Sequence, residues 1–231
     1  MATSQAQVAS GERYFFNPFS LSVMKLIDLT HTLCNGNPIF PGDEPVQLDQ
    51  VKTIEADGFT NFRLSSEMHV GTHIDGPLHK ITGSPLISNL PPERFTGQGV
   101  LIDVRGEKQI IFKEAYRTLI PAGSIVLFYS GLDHHFGEPD YFVNYPDISE
   151  ELALFLVVQR VKIIGLDWAS PDHHPYPIHD VLLKNNILIL ENLTNLGQLL
   201  NQSTLEIFAF PLKIEADSSL VRVVARVDKP V

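Results

Sequence analysis

Three histidines and one aspartate that can bind a metal ion lie within eleven residues of the chain. They are His69, His73, Asp75 and His79, in the segment His69-Val-Gly-Thr-His73-Ile-Asp75-Gly-Pro-Leu-His79. Neutral imidazole and carboxylate are ligands that zinc, manganese and iron ions bind. Burying these four groups without a cation would leave polar atoms unpaired, at a cost of several kcal/mol in total. The segment therefore predicts a metal site, and an open coordination position would make that site catalytic.

Two glycines and a proline within this segment argue against a regular helix. An extended strand that runs into a turn fits the residues better. Side chains alternate along a strand with period two, so His73 and Asp75 would point to the same side. The turn would bring His69 and His79 toward them.

Short runs rich in β-branched and aliphatic residues predict the strands that hold this segment. Runs 124–129 and 187–190 are uniformly apolar, which indicates burial on both faces, whereas 61–68 alternates and should have one solvent-exposed face. The class is therefore mixed α/β, with a mostly buried mixed sheet and flanking helices. The predicted strands cover 25–29, 62–70, 100–104, 124–129, 162–167, 187–190, 206–214 and 220–227, and the predicted helices cover 112–119, 150–160, a turn near 177–180 and 196–200.

Composition limits the partners. The chain has 231 residues, with 17 Lys and Arg against 27 Asp and Glu, a net charge of −10. This charge argues against non-specific binding to nucleic acid or to anionic lipid, and favours a small-molecule partner. No apolar run has the length of a membrane helix. The one cysteine, Cys34, cannot form an internal disulfide, so we expect a reduced thiol in a cytoplasmic protein.

The first 23 residues differ in pattern from the rest of the chain. They are polar and then briefly aromatic, without a hydrophobic stretch of signal-peptide length. Residues 1–23 are predicted to be an N-terminal extension or arm. Residues 24–231 contain no repeat and no low-complexity linker, so they are predicted to form one domain.

The pattern His-x-Gly-Thr-His-x-Asp-x-Pro-x-His over residues 69–79 resembles the signature of the metal-dependent cyclase/hydrolase family. This family includes bacterial kynurenine formamidase (arylformamidase) and isatin hydrolase. Segments 27–30, 38–43 and 165–167, followed by His179 and Glu191, resemble the family in the same order along the chain. The resemblance spans roughly residues 25–192 and implies a swivelling β/β/α-type fold.

The resemblance also implies a role for each site residue. His69, His73 and Asp75 would bind a first metal ion, with Asp75 able to bridge to a second. Glu191 would bridge from the other side and His179 would complete the second site. One or two ions are implied, with Zn²⁺ as the leading candidate and Mn²⁺ as the alternative. Glu191 also directly follows the apolar run 187–190, where a buried carboxylate is costly unless a cation compensates it.

The implied reaction is hydrolysis of an amide by a water that the bound cation activates, with His79 as the catalytic acid/base. The lead substrate is N-formylkynurenine, which would give kynurenine and formate. Phe40 stands where formamidases usually carry a tryptophan against the substrate ring, and Asp180 stands where many have a second histidine. A cyclic amide of the isatin type is the alternative substrate, and the resemblance implies a homodimer or homotetramer.

Two other functions compete with this hypothesis. A non-haem iron oxygenase would use His73, Asp75 and His179 as a two-histidine, one-carboxylate triad. It would leave His69, His79 and Glu191 without a role, and such enzymes usually have all-β folds. A non-catalytic metal-dependent binding protein would need the ligands but not His79. The histidine-rich segments 133–136 and 172–175 are predicted to be solvated loops, and a contribution of either segment to the pocket is the alternative.

Overall fold

The computed structural model describes residues 25–228, so the predicted extension over residues 1–23 lies outside the described residues. The described chain forms strands β1 (Lys25–Asp28), β2 (Gln47–Lys52), β3 (Asn61–Ser65), β4 (His73–Asp75), β5 (Thr96–Asp103), β6 (Gln109–Ile110), β7 (Ile125–Tyr129), β8 (Asp147–Ile148), β9 (Ile163–Leu166), β10 (Leu188–Glu191), β11 (Leu205–Pro211) and β12 (Ser218–Val227). The α-helices are α1 (Ile54–Asp57), α2 (Tyr116–Leu119), α3 (Glu150–Val158) and α4 (Pro177–Lys184). No helix of this described region is long and apolar enough to cross a membrane.

Seven of the strands form a mixed sheet that closes on itself. The order is β12, β11, β5, β7, β9, β10 and β4, and β4 then pairs with β12 to complete the ring. Strands β5, β7, β9 and β10 run parallel to one another. The other pairings in the ring are antiparallel. Strand β1 pairs with the far half of β12, beside β4. The predicted α/β class with a mostly buried mixed sheet is confirmed.

The period-two alternation of the strands divides the core into two layers. In β7, Ile125 and Leu127 belong to the cluster inside the closed sheet, whereas Val126 and Phe128 pack with the helices outside it. All five residues of β7 are buried, as the uniformly apolar run predicted. Helices α3 and α4 each contribute several buried side chains to the outer layer.

Helix α3 begins where the sequence indicates. The hydroxyl of Ser149 accepts a hydrogen bond of 3.2 Å from the backbone N–H of Leu152 and caps the first turn. Glu150 and Glu151 follow in that turn, where negative charge is favourable. The helix ends at Val158, two residues before the predicted end.

The prediction for the segment around β3 is wrong in one respect. Its alternation predicted one buried face, but all five residues of β3 are exposed. The strand pairs with β2 alone, in a two-stranded ribbon separate from the closed sheet. An alternating pattern predicts a buried face only if another element covers it, and both faces of this ribbon are open among the described residues.

Candidate metal centre

Strand β4 carries the centre of the site because it lies between β10 and β12. In the register, His73 lies opposite Glu191, and Asp75 lies opposite Ser218 of β12. Cross-strand partners share a face, so the side chains of His73, Asp75 and Glu191 lie on one side of the sheet. The residue between the two ligand candidates, Ile74, packs into the inner core instead. The predicted extended conformation of this segment thus places an imidazole and two carboxylates together.

Three further histidines surround this strand. His69 precedes β4 in an irregular segment, and His79 ends the short 3₁₀ turn that follows it. The imidazole rings of these two lie 4.1 Å apart between centroids. His179 comes from the first turn of α4, and its ring centroid is 5.9 Å from that of His79.

Buried atoms without hydrogen-bond partners face the centre of this cluster. They are His73 Nε2 and Glu191 Oε1, together with Asp75 Oδ1, which has His69 Nδ1 2.9 Å away as an ion-pair contact. Nε2 of His73 is 3.5 Å from Asp75 Oδ1 and 3.3 Å from Glu191 Oε2. Ligands about 2.1 Å from a tetrahedral zinc ion are about 3.4 Å from one another. The unpaired atoms and their separations therefore fit a shared divalent cation.

Asp75 and Glu191 each direct one carboxylate oxygen toward His73 and the other toward His179. Asp75 directs Oδ1 toward His73 and Oδ2 toward His179, whose Nε2 lies 3.8 Å away. Glu191 Oε2 faces His73, and its Oε1 is 3.5 Å from His179 Nε2. Both carboxylates could therefore contact cations at two positions, as the resemblance to the family implies.

Hydrogen bonds behind the rings leave the inward nitrogens free. His73 Nδ1 lies 2.9 Å from the carbonyl oxygen of Gly71, which can only accept, so this nitrogen carries the hydrogen. His179 Nδ1 lies 2.6 Å from Asp172 Oδ1, and the other oxygen of Asp172 accepts from the backbone N–H of Ile178 at the start of α4. Such outer partners fix the tautomer of a metal-binding histidine.

The electrostatics of the metal-free chain reflect the concentration of carboxylates. Burial opposes protonation of His69, but the charge of Asp75 and the hydrogen bond to Asp217 outweigh it and raise the pKa of His69 to about 11. Burial is likewise outweighed at His179, where the carboxylates of Asp172 and Glu191 raise the pKa to about 10. In the metal-free chain, protons on the imidazoles thus supply positive charge that a cation could replace.

His79 differs from the other histidines of the cluster. Burial lowers its pKa, Asp75 opposes this effect, and the positive charges of His69 and His179 add to it. Its Nδ1 lies 3.2 Å from Oδ2 of Asp217. His79 is therefore a neutral imidazole near pH 7, in the form that can accept a proton.

A pocket opens onto these residues, and aromatic side chains form much of its wall. Phe40 and Phe142 lie in it with their ring centroids 5.9 Å apart, in an edge-to-face contact. Tyr176 and Lys80 lie at the same pocket, with the ammonium of Lys80 5.3 Å from the centre of the Tyr176 ring. Phe40, predicted to contact substrate, thus lines the same space as the predicted metal ligands.

The structure brings all seven predicted site residues to this pocket: Phe40, His69, His73, Asp75, His79, His179 and Glu191. The sequence analysis missed Asp172 and Asp217. Asp172 stands in a histidine-rich run predicted to be solvated, and it is buried although its neighbours His173 and His174 are exposed. His134 and His135 are also exposed, as predicted.

Comparison with known proteins gives the relationships of the chain. A family model described as putative cyclase matches residues 27–173. Kynurenine formamidase of Paracidovorax citrulli is 30% identical over 213 residues, which cover 87% of this chain and 96% of that protein. Isatin hydrolase A from Ralstonia solanacearum has a similar structure with a TM-score of 0.78 at 27% identity, covering 88% of this chain and 92% of that one.

A further solved structure is described as a potential metal-dependent hydrolase with cyclase activity. It has a TM-score of 0.71 at 24% identity and covers 90% of this chain and 100% of that one, a likeness that shows the fold alone. The matched region of the family model contains the whole His69–His79 segment. The relatives with named activities are hydrolases. This chain therefore belongs to the putative cyclase family.

Proposed function

We propose that the protein is a metal-dependent amidohydrolase that cleaves aryl formamides, with N-formylkynurenine as the lead substrate. The observation that carries the proposal is the convergence of buried imidazole and carboxylate atoms of His73, Asp75 and Glu191 beside the ring of His79, whose pKa is lowered by burial. The 30% identity to a kynurenine formamidase supports the same reaction class. The expected products are kynurenine and formate, formed by addition of one water to the formyl C–N bond.

The residues present fit a divalent cation, and two positions fit the bridging arrangement of the carboxylates. His69 and His73 would hold the first ion, His179 the second, and Asp75 with Glu191 both. Zn²⁺ is the leading candidate because imidazole and carboxylate at these separations suit it, and Mn²⁺ is the alternative. When bound, the cation supplies an activated water and polarises the substrate carbonyl.

The protein's own contribution to the reaction centres on His79. Its Nδ1 is committed to Asp217, so Nε2 is the nitrogen that takes a proton from the attacking water and passes it to the leaving aniline nitrogen. Phe40 and Phe142 provide apolar surface for the aromatic ring of the substrate. His73 and Asp75 are each 1% exposed, so the side chains that would hold the cation are shielded from bulk solvent.

Lys80 favours N-formylkynurenine over the alternative, a neutral cyclic amide such as isatin. Its Nζ is 3.9 Å from Asp180 Oδ1, the limit of an ion pair, while the other oxygen of Asp180 binds Lys184 at 3.2 Å. Lys80 is thus a weakly paired cation at a pocket with aromatic walls. N-formylkynurenine carries a carboxylate that this ammonium can bind, and isatin does not.

The test of this preference is the variant Lys80→Met with two substrates. We expect kcat/KM for N-formylkynurenine to fall about fivefold, as loss of an ion pair worth ~1 kcal/mol implies. For 2-formamidoacetophenone, which lacks the carboxylate, we expect less than a twofold change. Lys108→Met is the control, because Lys108 is exposed and does not line this pocket. Equal effects of Lys80→Met on both substrates would contradict the assignment.

The main experiment is a metal analysis together with anaerobic hydrolysis of N-formylkynurenine, isatin and simple aryl formamides. Formate release that needs added Zn²⁺ or Mn²⁺ and proceeds without oxygen supports the proposal. Oxygen consumption that depends on ferrous iron would favour the oxygenase instead. Metal binding without turnover of any substrate would favour the binding protein.

We also propose that the chain forms a homodimer or homotetramer through its β2–β3 hairpin, residues 47–65. Large apolar side chains of this hairpin are exposed, including Ile54 at 66%, Phe59 at 55% and Phe62 at 53%. Grouped exposed apolar side chains are typical of a protein interface. Light scattering should show that Phe59→Ser with Phe62→Ser dissociates the assembly and that the control Leu119→Ser does not. A monomeric wild-type protein would contradict this proposal.

A further inference from the structure

Asp217 contacts two histidines of the cluster with one oxygen atom. Its Oδ2 lies 2.9 Å from His69 Nε2 and 3.2 Å from His79 Nδ1. The hydroxyl of Ser218 donates to the other oxygen, Oδ1, at 3.3 Å and also lies 3.0 Å from His69 Nε2. A single carboxylate thus connects a predicted metal ligand with the predicted acid/base.

The sheet fixes the position of this carboxylate. Asp217 directly precedes β12, whose first residue, Ser218, lies opposite Asp75 in the register. The backbone N–H of Gly76 donates to the carbonyl oxygen of Asp217 at 2.9 Å. A Cβ atom on residue 76 would lie 2.7 Å from that oxygen, so the glycine allows the two segments to approach this closely. Asp217 therefore reaches the histidines from a defined backbone position.

The two rings need such a partner because packing alone does not hold them. The side chains of His69 and His79 are 28% and 30% exposed, whereas that of His73 is 2% exposed. A partly exposed imidazole can turn over and exchange the positions of its two nitrogens. A hydrogen bond to a carboxylate selects one tautomer and one orientation.

We propose that Asp217 is a positioning residue that orients both rings for their different tasks. By accepting from His69 Nε2, it leaves Nδ1 directed at the carboxylate pair, where Nδ1 is 2.9 Å from Asp75 Oδ1. By accepting from His79 Nδ1, it leaves Nε2 as the nitrogen that exchanges protons with substrate. Asp217 does not line the pocket, so it acts through the two histidines and not on the substrate. The part that concerns His79 rests on the proposed function.

The test compares Asp217→Asn and Asp217→Glu with the control Asp140→Asn, an exposed carboxylate elsewhere on the surface. For Asp217→Asn we expect cation affinity and kcat each to fall about 10- to 100-fold, the usual effect of removing an outer-shell partner. KM should change by less than threefold, because substrate contacts remain. Asp217→Glu should recover part of both losses, since it keeps the carboxylate.

Nitrogen-15 NMR of the metal-free protein gives a readout that does not depend on turnover. In the wild type, neutral His79 should carry its hydrogen on Nδ1, and in Asp217→Asn this preference should disappear. Asp217→Asn with unchanged cation affinity and an unchanged His79 tautomer would overturn the proposal. Loss of a whole equivalent of bound metal would overturn it too, because Asp217 would then be a metal ligand. His69, His79 and Asp217 are close enough together for that role.

The outcomes also separate this inference from the proposed function. If the wild-type protein hydrolyses no aryl formamide, the proposed function fails, while the affinity and NMR measurements still decide the role of Asp217. A second case is that the wild type hydrolyses aryl formamides, while Asp217→Asn and Asp217→Glu lose both hydrolysis and thermal stability to the same extent. Asp217 is then a structural residue, so the positioning role fails and the proposed function stands.

Discussion

Proton release on metal binding follows directly from the charges of the site. In the metal-free protein the pKa of His69 is raised to about 11 and that of His179 to about 10. Both rings are therefore protonated at pH 7 to 8. A histidine binds a metal ion through a neutral nitrogen, so each ligand must lose its extra proton when the cation enters.

The magnitude follows from the number of these histidines. His69 and His179 together release about two protons when both cation positions are filled, and the raised pKa of His73 adds to that number. Each released proton makes the apparent dissociation constant fall about tenfold per pH unit. Between pH 6 and pH 9, the affinity for each zinc ion should thus increase at least ~10-fold per pH unit.

The stability of the metal-free protein should change in the opposite direction with pH. The folded-state pKa values of His69 and His179 lie above the unfolded value of about 6.5, so folding takes up protons. This stabilisation is fully present below pH 6.5 and is lost as the pH rises through about 10 to 11. The melting temperature of the metal-free protein should therefore fall between pH 8 and pH 11, and zinc should oppose the fall.

The assay is calorimetric titration of metal-free protein with Zn²⁺ in two buffers of different ionisation enthalpy. The difference in observed enthalpy counts the released protons. A release of two or more protons at pH 7.5 agrees with the geometry. A release near zero, together with a zinc affinity that does not depend on pH, would contradict proton displacement from these imidazoles by the cation.

Further variants test the roles of single site residues and the packing of the closed sheet. His79→Ala should retain metal but lose most hydrolysis, whereas Asp75→Ala should lose both; metal analysis beside formate release decides this, and equal metal loss would contradict the roles. Asp172→Asn should weaken zinc binding about 10- to 100-fold in a competition assay, because the His179 ring loses the negative charge of its acceptor; unchanged affinity would contradict that role. Gly165→Ala should lower the free energy of unfolding in urea by about 1–3 kcal/mol, since its Cβ would lie 2.5 Å from a side-chain carbon of Leu127. Gly97→Ala should not, because the nearest atom to its Cβ would be Lys162 Nζ at 3.5 Å. Similar stabilities for these two glycine variants would argue against the packing of the closed sheet.

Much of the site could be predicted because its ligands lie close together in the sequence. Four of the metal-capable residues fall within the eleven-residue segment, and strand geometry alone places His73 and Asp75 on one side. Glu191 could be selected because it ends a uniformly apolar strand, where a carboxylate needs compensation. The structure places it directly opposite His73.

Asp217 could not be found in this way. It stands 138 residues after His79, in an ordinary polar stretch before a strand. Only the pairing of β12 with β4 brings it to the histidines, and that pairing closes the sheet. Sequence patterns predict which segments become strands more readily than which strands become neighbours.

The β2–β3 hairpin shows the opposite limit. Its alternating residues are a sound strand signal, and a strand forms at Asn61–Ser65. The alternation does not reveal what covers the apolar side, and within the described chain both sides are exposed. Local pattern here determines the conformation of the backbone but not its burial.

The most direct test of the central claim is anomalous scattering at the zinc edge from crystals of the zinc-loaded protein. We expect a peak about 2.0–2.3 Å from His73 Nε2 and from carboxylate oxygens of Asp75 and Glu191. Crystals of catalytically active protein with no peak between these residues, or with zinc bound only elsewhere, would contradict it.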